Sequence, residues 1–227
     1  MNNHSSRKPA RGTKRGNGES KRGGGEKDPA PGLNNKRERI LDAAVRVFAQ
    51  EGFYNAKVSQ IAHAAGVADG TIYLYFKSKD DLLISLFENR MERINENLRL
   101  ALASETTAAA RLRRVVRLHL ELVESNRHMA EVICVELRQS SKFIKEYANP
   151  KFAEFLRLIA GAVLEGQKTG ELRSDIDPQI TARSLFGALD EISLAWLVKG
   201  KEKMDLSRAA EQLGHLFIDG LSARPKE

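Results

Sequence analysis

Apolar residues recur along this chain at the three- and four-residue spacing of helices, and no stretch alternates with the two-residue period of a strand. Ile40, Leu41, Ala44, Val45, Val47 and Phe48 form the first stripe, in a helix predicted from Asn34 to a glycine stop at Gly52. A second helix starts at Ser59, places Ile61, Ala62 and Ala65 on one face and ends at Gly66. A third, short one runs from Ala68 to Tyr75. Ser78 then caps a long helix to Ala103, and Asp80 and Asp81 in its first turn complement the helix dipole. Further helices are expected over Ala108–Ser125, from an Asn126 cap to Leu137, from Asn149 and Pro150 to Gly170, from Asp177 and Pro178 to Val198, and from Asp205 to Leu221. Two of them open on a capping side chain followed by a proline, whose missing N–H is not needed in a first turn. The expected fold is all-α.

Charge divides the chain. Residues 1–33 carry eight Lys/Arg against three Asp/Glu, a net +5; residues 34–80 carry a net +2; residues 81–227 are neutral. Residues 1–33 hold only Met1 and Leu33 as large apolar side chains, so burial cannot offset their ordering entropy. They are expected to be a disordered basic arm, serving either as a loose phosphate attractor or as a solubilising tail. The expected organisation is an arm over 1–33, a DNA-binding domain over 34–80 and a ligand-binding, dimerising domain over 81–227.

The DNA-binding expectation comes from the run Val58 to Tyr73. Small Ala62 and Ala65 let two helices approach, Gly66 takes the turn where a positive φ is needed, and Val67 and Ile72 plug the small core. This leaves Ala68, Asp69, Gly70, Thr71 and Tyr73 on the outside of a short helix with small N-terminal residues. Such a helix enters a major groove about 12 Å wide without steric conflict. Tyr75, Lys77, Ser78 and Lys79 follow with hydroxyls and amines suited to phosphates, which position a protein without reading sequence. Phe76 is expected in the core.

Over Ile40 to Leu83, and most specifically over Val58–Ala62 and Ala65–Lys79, the sequence resembles the TetR family of bacterial repressors. The resemblance implies a three-helix DNA-binding domain, a helical ligand domain and a homodimer formed through the last two long helices. Carried over by position, it implies that Ser59, Thr71, Tyr75 and Lys79 touch phosphates and that Ala68, Asp69, Gly70 and Tyr73 face bases; Lys57 joins this DNA-facing set. Val67–Lys77, Leu83–Phe87, Glu136–Ser140, Phe186–Glu191 and Trp196 resemble the acyl-CoA-responsive fatty-acid-degradation repressors of that family. The long basic arm departs from that subgroup.

The ligand domain adds candidates of its own. Leu137, Phe152, Phe155, Ile159, Phe186, Leu189 and Trp196 can line an apolar tunnel for a long-chain acyl-CoA, although each is equally at home in a core. Arg138, Gln139, Asp190 and Glu191 can orient a head group, or an arginine and a carboxylate of this domain can simply pair. Arg99, Arg111, Arg113, Arg114 and Arg117 are candidates for a basic mouth. The helices of residues 178–198 and 205–221 are apolar over more than one side, which suggests the dimer interface.

Other classes fit less well. His119 and His128 are nine apart, off a common helix face, and no cluster completes a metal site, so both are expected to be structural and no metal or cofactor is expected. Cys134, the single cysteine, sits in an apolar run and reads as a small buried hydrophobe in a reducing compartment. No phosphate loop or nucleophile elbow suggests an enzyme. A nucleic-acid-coating protein would need charge along the body. No apolar run nears the roughly 20 residues that cross a bilayer, and the start lacks the apolar core of a signal peptide. A cytoplasmic repressor is the resulting expectation, with double-stranded operator DNA and a small apolar effector as partners. The alternative is a repressor of the same type answering another lipophilic or drug-like ligand.

Overall fold

The computed structural model describes residues 31–140, 142–143, 150–200 and 204–222, with side chains from residue 35 onward. The expected arm, apart from its last three residues, and the expected Asn149 cap lie outside these residues.

Nine α-helices follow one another in the described residues: α1 Pro31–Asn55, α2 Val58–Ala65, α3 Asp69–Ile72, α4 Lys79–Ala103, α5 Ala108–Ser125, α6 Arg127–Cys134, α7 Pro150–Thr169, α8 Pro178–Lys199 and α9 Leu206–Gly214. A 3-10 turn, Glu136–Gln139, follows α6, and a π turn, His215–Asp219, continues α9. The elements start where their caps are. Ser78 Oγ accepts from Asp81 N, Thr107 accepts from Ala110 N, and Asp177 and Asp205 each accept from two first-turn amides. Asn126 does not do so: its side chain makes no cap bond to α6 and its amide donates to Ser125.

Three expected boundaries moved inward or outward by several residues; the helix expected to reach Leu137 ends at Cys134, where the 3-10 turn takes over. The first helix continues past Gly52, which sits at φ 75 as a kink, and ends at Asn55. The third helix is one turn, ending at Ile72, because Tyr73–Tyr75 close as turns rather than as helix.

One core runs through the molecule. In the N-terminal part, Ile40, Leu41, Phe48, Ile61, Ile72 and Phe76 are at or near zero exposure. α5 lies at the centre of the C-terminal part, packing against α4, α7, α8 and α9. Gly166 of α7 lets α5 approach closely: a Cβ there would stand 2.5 Å from Ala108 Cβ. Glu171 then caps α5, its two oxygens accepting from Ala108 N and Ala109 N at 2.7 and 2.8 Å.

Candidate functional site

Gly66 adopts φ 64 and ψ 43 at the end of α2, so the chain turns sharply into α3. Its amide donates to His63 O and that of Val67 donates to Ala62 O, both at 3.0 Å. Arg39 of α1 reaches across and donates to Ala65 O at 2.6 Å, where a cation complements the negative end of α2. Ile72 and Phe76 are buried beneath. Outside lie exposed Lys57, Ser59, Ala68, Asp69, Gly70 and Tyr73, with Thr71 and Tyr75 half-buried. A Cβ at Gly70 would meet nothing within 4 Å, so its smallness serves no packing inside the protomer. Leu74 is 82% exposed beside Tyr73, an apolar side chain that the sequence reading did not single out.

Lys79 is placed otherwise than expected. Its ammonium donates to Tyr54 O at 2.9 Å and Ala56 O at 3.0 Å and lies over the Phe53 ring. Two of its three hydrogens therefore tie α4 to the end of α1.

The second feature is a cavity of about 790 Å³, within the range of small-molecule sites. Phe87, Met91, Ile94 and Leu98 of α4, Val115, Leu118 and Leu122 of α5, and Phe152, Phe155 and Phe186 make its walls apolar. The three phenylalanines form one cluster, Phe152 and Phe186 meeting edge to face at 4.6 Å. Polar residues enter on α1, α4 and α6: Asp42, Arg46, Arg90, Arg93, Arg127 and His128. With Arg138 and Asp190 the lining carries five arginines against two aspartates.

The rim is built into the hinge between the two parts. Arg90 pairs with Asp42, and Arg93 pairs with Glu38, so both arginines connect α4 to α1. The 3-10 turn beyond the cavity makes a second connection. Glu136, buried, accepts from Phe53 N at 2.6 Å, directly after the Gly52 kink. Tyr54 Oη donates to Gln139 O at 2.7 Å, and Ser140 Oγ donates to Asp80 at 2.6 Å. The same turn presents Leu137 and Arg138 to the cavity, where Arg138 pairs with Asp190 of α8.

Family models cover nearly all of the described chain. The model for bacterial regulatory proteins of the tetR family matches residues 40–86, and that for the YsiA-like C-terminal region matches residues 87–220. The fatty acid metabolism regulator protein of Bacillus subtilis is 36% identical over 186 residues, 82% of this chain and 95% of its own. The chain belongs to the TetR family of regulatory proteins. It is accordingly a DNA-binding transcriptional regulator and not an enzyme. Two solved structures resemble it closely. The fatty acid degradation regulator FadR of Bacillus halodurans matches with a TM-score of 0.75 at 36% identity, over 81% of this chain and 98% of its own. FadR of Bacillus subtilis, solved in complex with stearoyl-CoA, matches with 0.76 at 35% identity, over 81% and 98%.

In this TetR-family chain the cavity takes in six of the expected ligand residues: Leu137, Arg138, Phe152, Phe155, Phe186 and Asp190. The other five lie elsewhere. Ile159, Leu189 and Trp196 do not line the cavity and are core residues at 0, 0 and 3% exposure, although Ile159 and Leu189 share a helix face with Phe155 and Phe186. Arg99 pairs with Glu154 on the surface, and Gln139 donates to Glu136. Of the expected basic mouth, Arg113 and Arg117 line a separate cleft between α5 and α9, Arg114 pairs with Glu121, and Arg111 donates to Glu105 O. Apart from Arg138, the arginines that meet the cavity, Arg46, Arg90, Arg93 and Arg127, went unrecognised because they stand on α1, α4 and α6. His119, expected to be structural, lines the cavity. Burial holds it neutral, its pKa lowered to about 4, while Asp190 opposes the shift. Burial likewise pushes the Cys134 thiol up to about 12, leaving it unreactive.

The last helix also differs from expectation. Leu206, Ala210, Leu213 and Ile218 are buried within the protomer as α9 packs on α5, and its outer side is mostly polar. Leu216, on the turn that continues α9, is exposed at 72%, and further exposed apolar side chains stand on α7 and α8: Leu164, Ile180 and Val198 at 45, 66 and 77%. Among the described residues no helix is long and apolar enough to cross a membrane, and no cluster could hold a metal ion.

Proposed function

We propose that the protein is a repressor that binds palindromic operator DNA as a homodimer in the cytoplasm and is released by a long-chain acyl-CoA, so controlling fatty-acid metabolism genes. The observation that carries this reading is the cavity: apolar walls of acyl-chain character, with arginines along the side nearest the DNA-reading helices. A polyanionic head group suits that arginine rim, and a fatty chain suits the phenylalanine cluster. The stearoyl-CoA complex of the Bacillus subtilis relative supports the same choice.

Residues 34–80 serve as the reading domain and 81–227 as the ligand and dimer domain. Ala68, Asp69, Gly70 and Tyr73 face base edges, while Lys57, Ser59, Thr71 and Tyr75 take phosphates. Lys79 serves chiefly to hold α4 against α1. The dimer uses the outer faces of α7 and α8, where Leu164, Ile180 and Val198 flank exposed Gly161, Ser184 and Gly187. A head group between Arg90 and Arg93 competes with Asp42 and Glu38 for the same guanidinium groups, loosening α1 from α4. Two reading heads must stand about 34–36 Å apart to meet successive major grooves, so a small tilt of α4 weakens binding. The effector acts only as far as it prefers that tilted state.

The test is an operator-release titration with oleoyl-CoA, oleate and free CoA. Release by oleoyl-CoA alone is the expected result. Equal release by oleate would remove the arginine rim from the reading, and no release by any of them would favour a different lipophilic or drug-like effector.

A further inference from the structure

One wall of the cavity holds a polar atom whose hydrogen-bonding role is dictated by its neighbours. Ser193 lies in the middle of α8, and its hydroxyl donates to Leu189 O at 2.7 Å. A hydroxyl has one hydrogen, so at its 3.3 Å contact with His119 Nε2 the Ser193 oxygen accepts. The network therefore assigns the imidazole hydrogen to Nε2. A neutral ring carries one N–H, and Nδ1 is left as a lone-pair acceptor. Burial keeps the ring in that neutral form. Among the described residues nothing bonds Nδ1, nor is it one of the enclosed, unpartnered atoms. Its open side is the cavity that His119 lines. The edge of the ring against Phe186, with centroids 6.2 Å apart, fixes the direction in which it points.

We propose that His119 Nδ1 is a specificity-determining acceptor that selects effectors bearing an N–H or O–H group between head and tail. This rests on the acyl-CoA reading of the cavity. An acyl chain alone would cover Nδ1 without giving it a partner, which is unfavourable for an acceptor taken out of water. Two parts of an acyl thioester can supply the donor. One is an amide N–H of the carrier's pantetheine arm, present in every such ester. The other is a hydroxyl on the acyl chain near the thioester. The neighbouring Arg138 and Asp190 are paired with each other, whereas His119 Nδ1 has no partner among the described residues.

The experiment uses the full chain, titrated calorimetrically with palmitoyl-CoA and 3-hydroxypalmitoyl-CoA, as the native protein, His119→Phe and His119→Asn. In the Asn variant the side-chain oxygen stands near the place of Nδ1. The expected result is an about tenfold loss of affinity in His119→Phe, the size of one hydrogen bond, with part of it restored in His119→Asn. Equal loss for both esters assigns the donor to the carrier amide, and loss for the hydroxy ester alone assigns it to the chain. Nitrogen NMR of histidine-labelled protein is expected to show the Nε2–H tautomer and a shift of Nδ1 on adding ester. Native affinity for both esters in His119→Phe overturns the proposal while leaving the acyl-CoA reading standing, as does an Nδ1–H tautomer. Failure of both esters to bind the native protein overturns the proposal and the acyl-CoA reading together.

Discussion

The reading head and the ligand cavity are built from the same kind of element over different spans of chain. The head closes through short connections: Gly66 to His63, Val67 to Ala62, Asp81 to Ser78, and the Arg39 bond to Ala65 over 26 residues. The cavity takes residues from Asp42 to Asp190, and its defining pairs, Arg138–Asp190 and His119–Ser193, span 52 and 74 residues. A head made of local contacts keeps its shape while the domain behind it changes. A cavity made of distant ones can be reshaped by a change on any of its helices, and it depends on the whole domain staying folded. Glu136, bonded to Phe53 N over 83 residues, belongs to both regimes.

If this contrast holds, a charge in the core of the ligand domain is the most damaging change. Leu213→Asp is expected to cost more than about 4 kcal/mol, because it buries an unpaired carboxylate in the α5–α9 contact. Thermal melting followed by circular dichroism checks this, and a small shift in midpoint would show that α9 is dispensable. Acid comes next. The folded His119 titrates near 4 and the unfolded side chain near 6.5. Above pH 6.5 both states hold the ring neutral and stability is complete. Between pH 6.5 and 4 the unfolded chain binds a proton that the folded one refuses, so stability falls as pH falls, by about 3 kcal/mol at most. Urea unfolding at stepped pH measures it, and His119→Asn is expected to flatten the slope.

Glu136→Ala sharpens the comparison at the junction. It leaves Phe53 N–H buried without its acceptor, at a cost of about 1–3 kcal/mol. It is also expected to reduce the operator release produced by a given effector occupancy, and unchanged coupling would move the connection to the Arg90 and Arg93 pairs. Ser78→Ala removes only a local cap and is expected to cost about 1 kcal/mol, without altering ligand affinity. Leu216→Asp is the smallest. At 72% exposure, one turn from Leu213, it is expected to change protomer stability by under about 0.5 kcal/mol; dissociation of the dimer instead would return α9 to the interface.

The helices, several of their caps and the turn at Gly66 were legible in the sequence because each depends on residues within a few positions. Ser78, Asp177 and Asp205 bond amides two or three residues on, and Gly66 is needed where φ is positive. Six cavity residues were legible for a similar reason, being bulky or oddly charged within apolar helices. Ile159, Leu189 and Trp196 were not separable from them, since an apolar residue in a helix looks the same whether its neighbour is a cavity or another side chain. The two carbonyl groups that Lys79 meets were not legible, because a lysine beside a recognition helix has the same composition whether it meets a phosphate or two carbonyl groups.

The sequence by itself determined the all-α class, the helix-turn-helix with its outward small residues, and the family to which the chain belongs. Only the tertiary structure decided which arginines reach the cavity, which helix faces remain uncovered, and that His119 meets the Ser193 hydroxyl. Those outcomes depend on how helices far apart in sequence cross, and a helical repeat specifies a face without specifying what that face will meet.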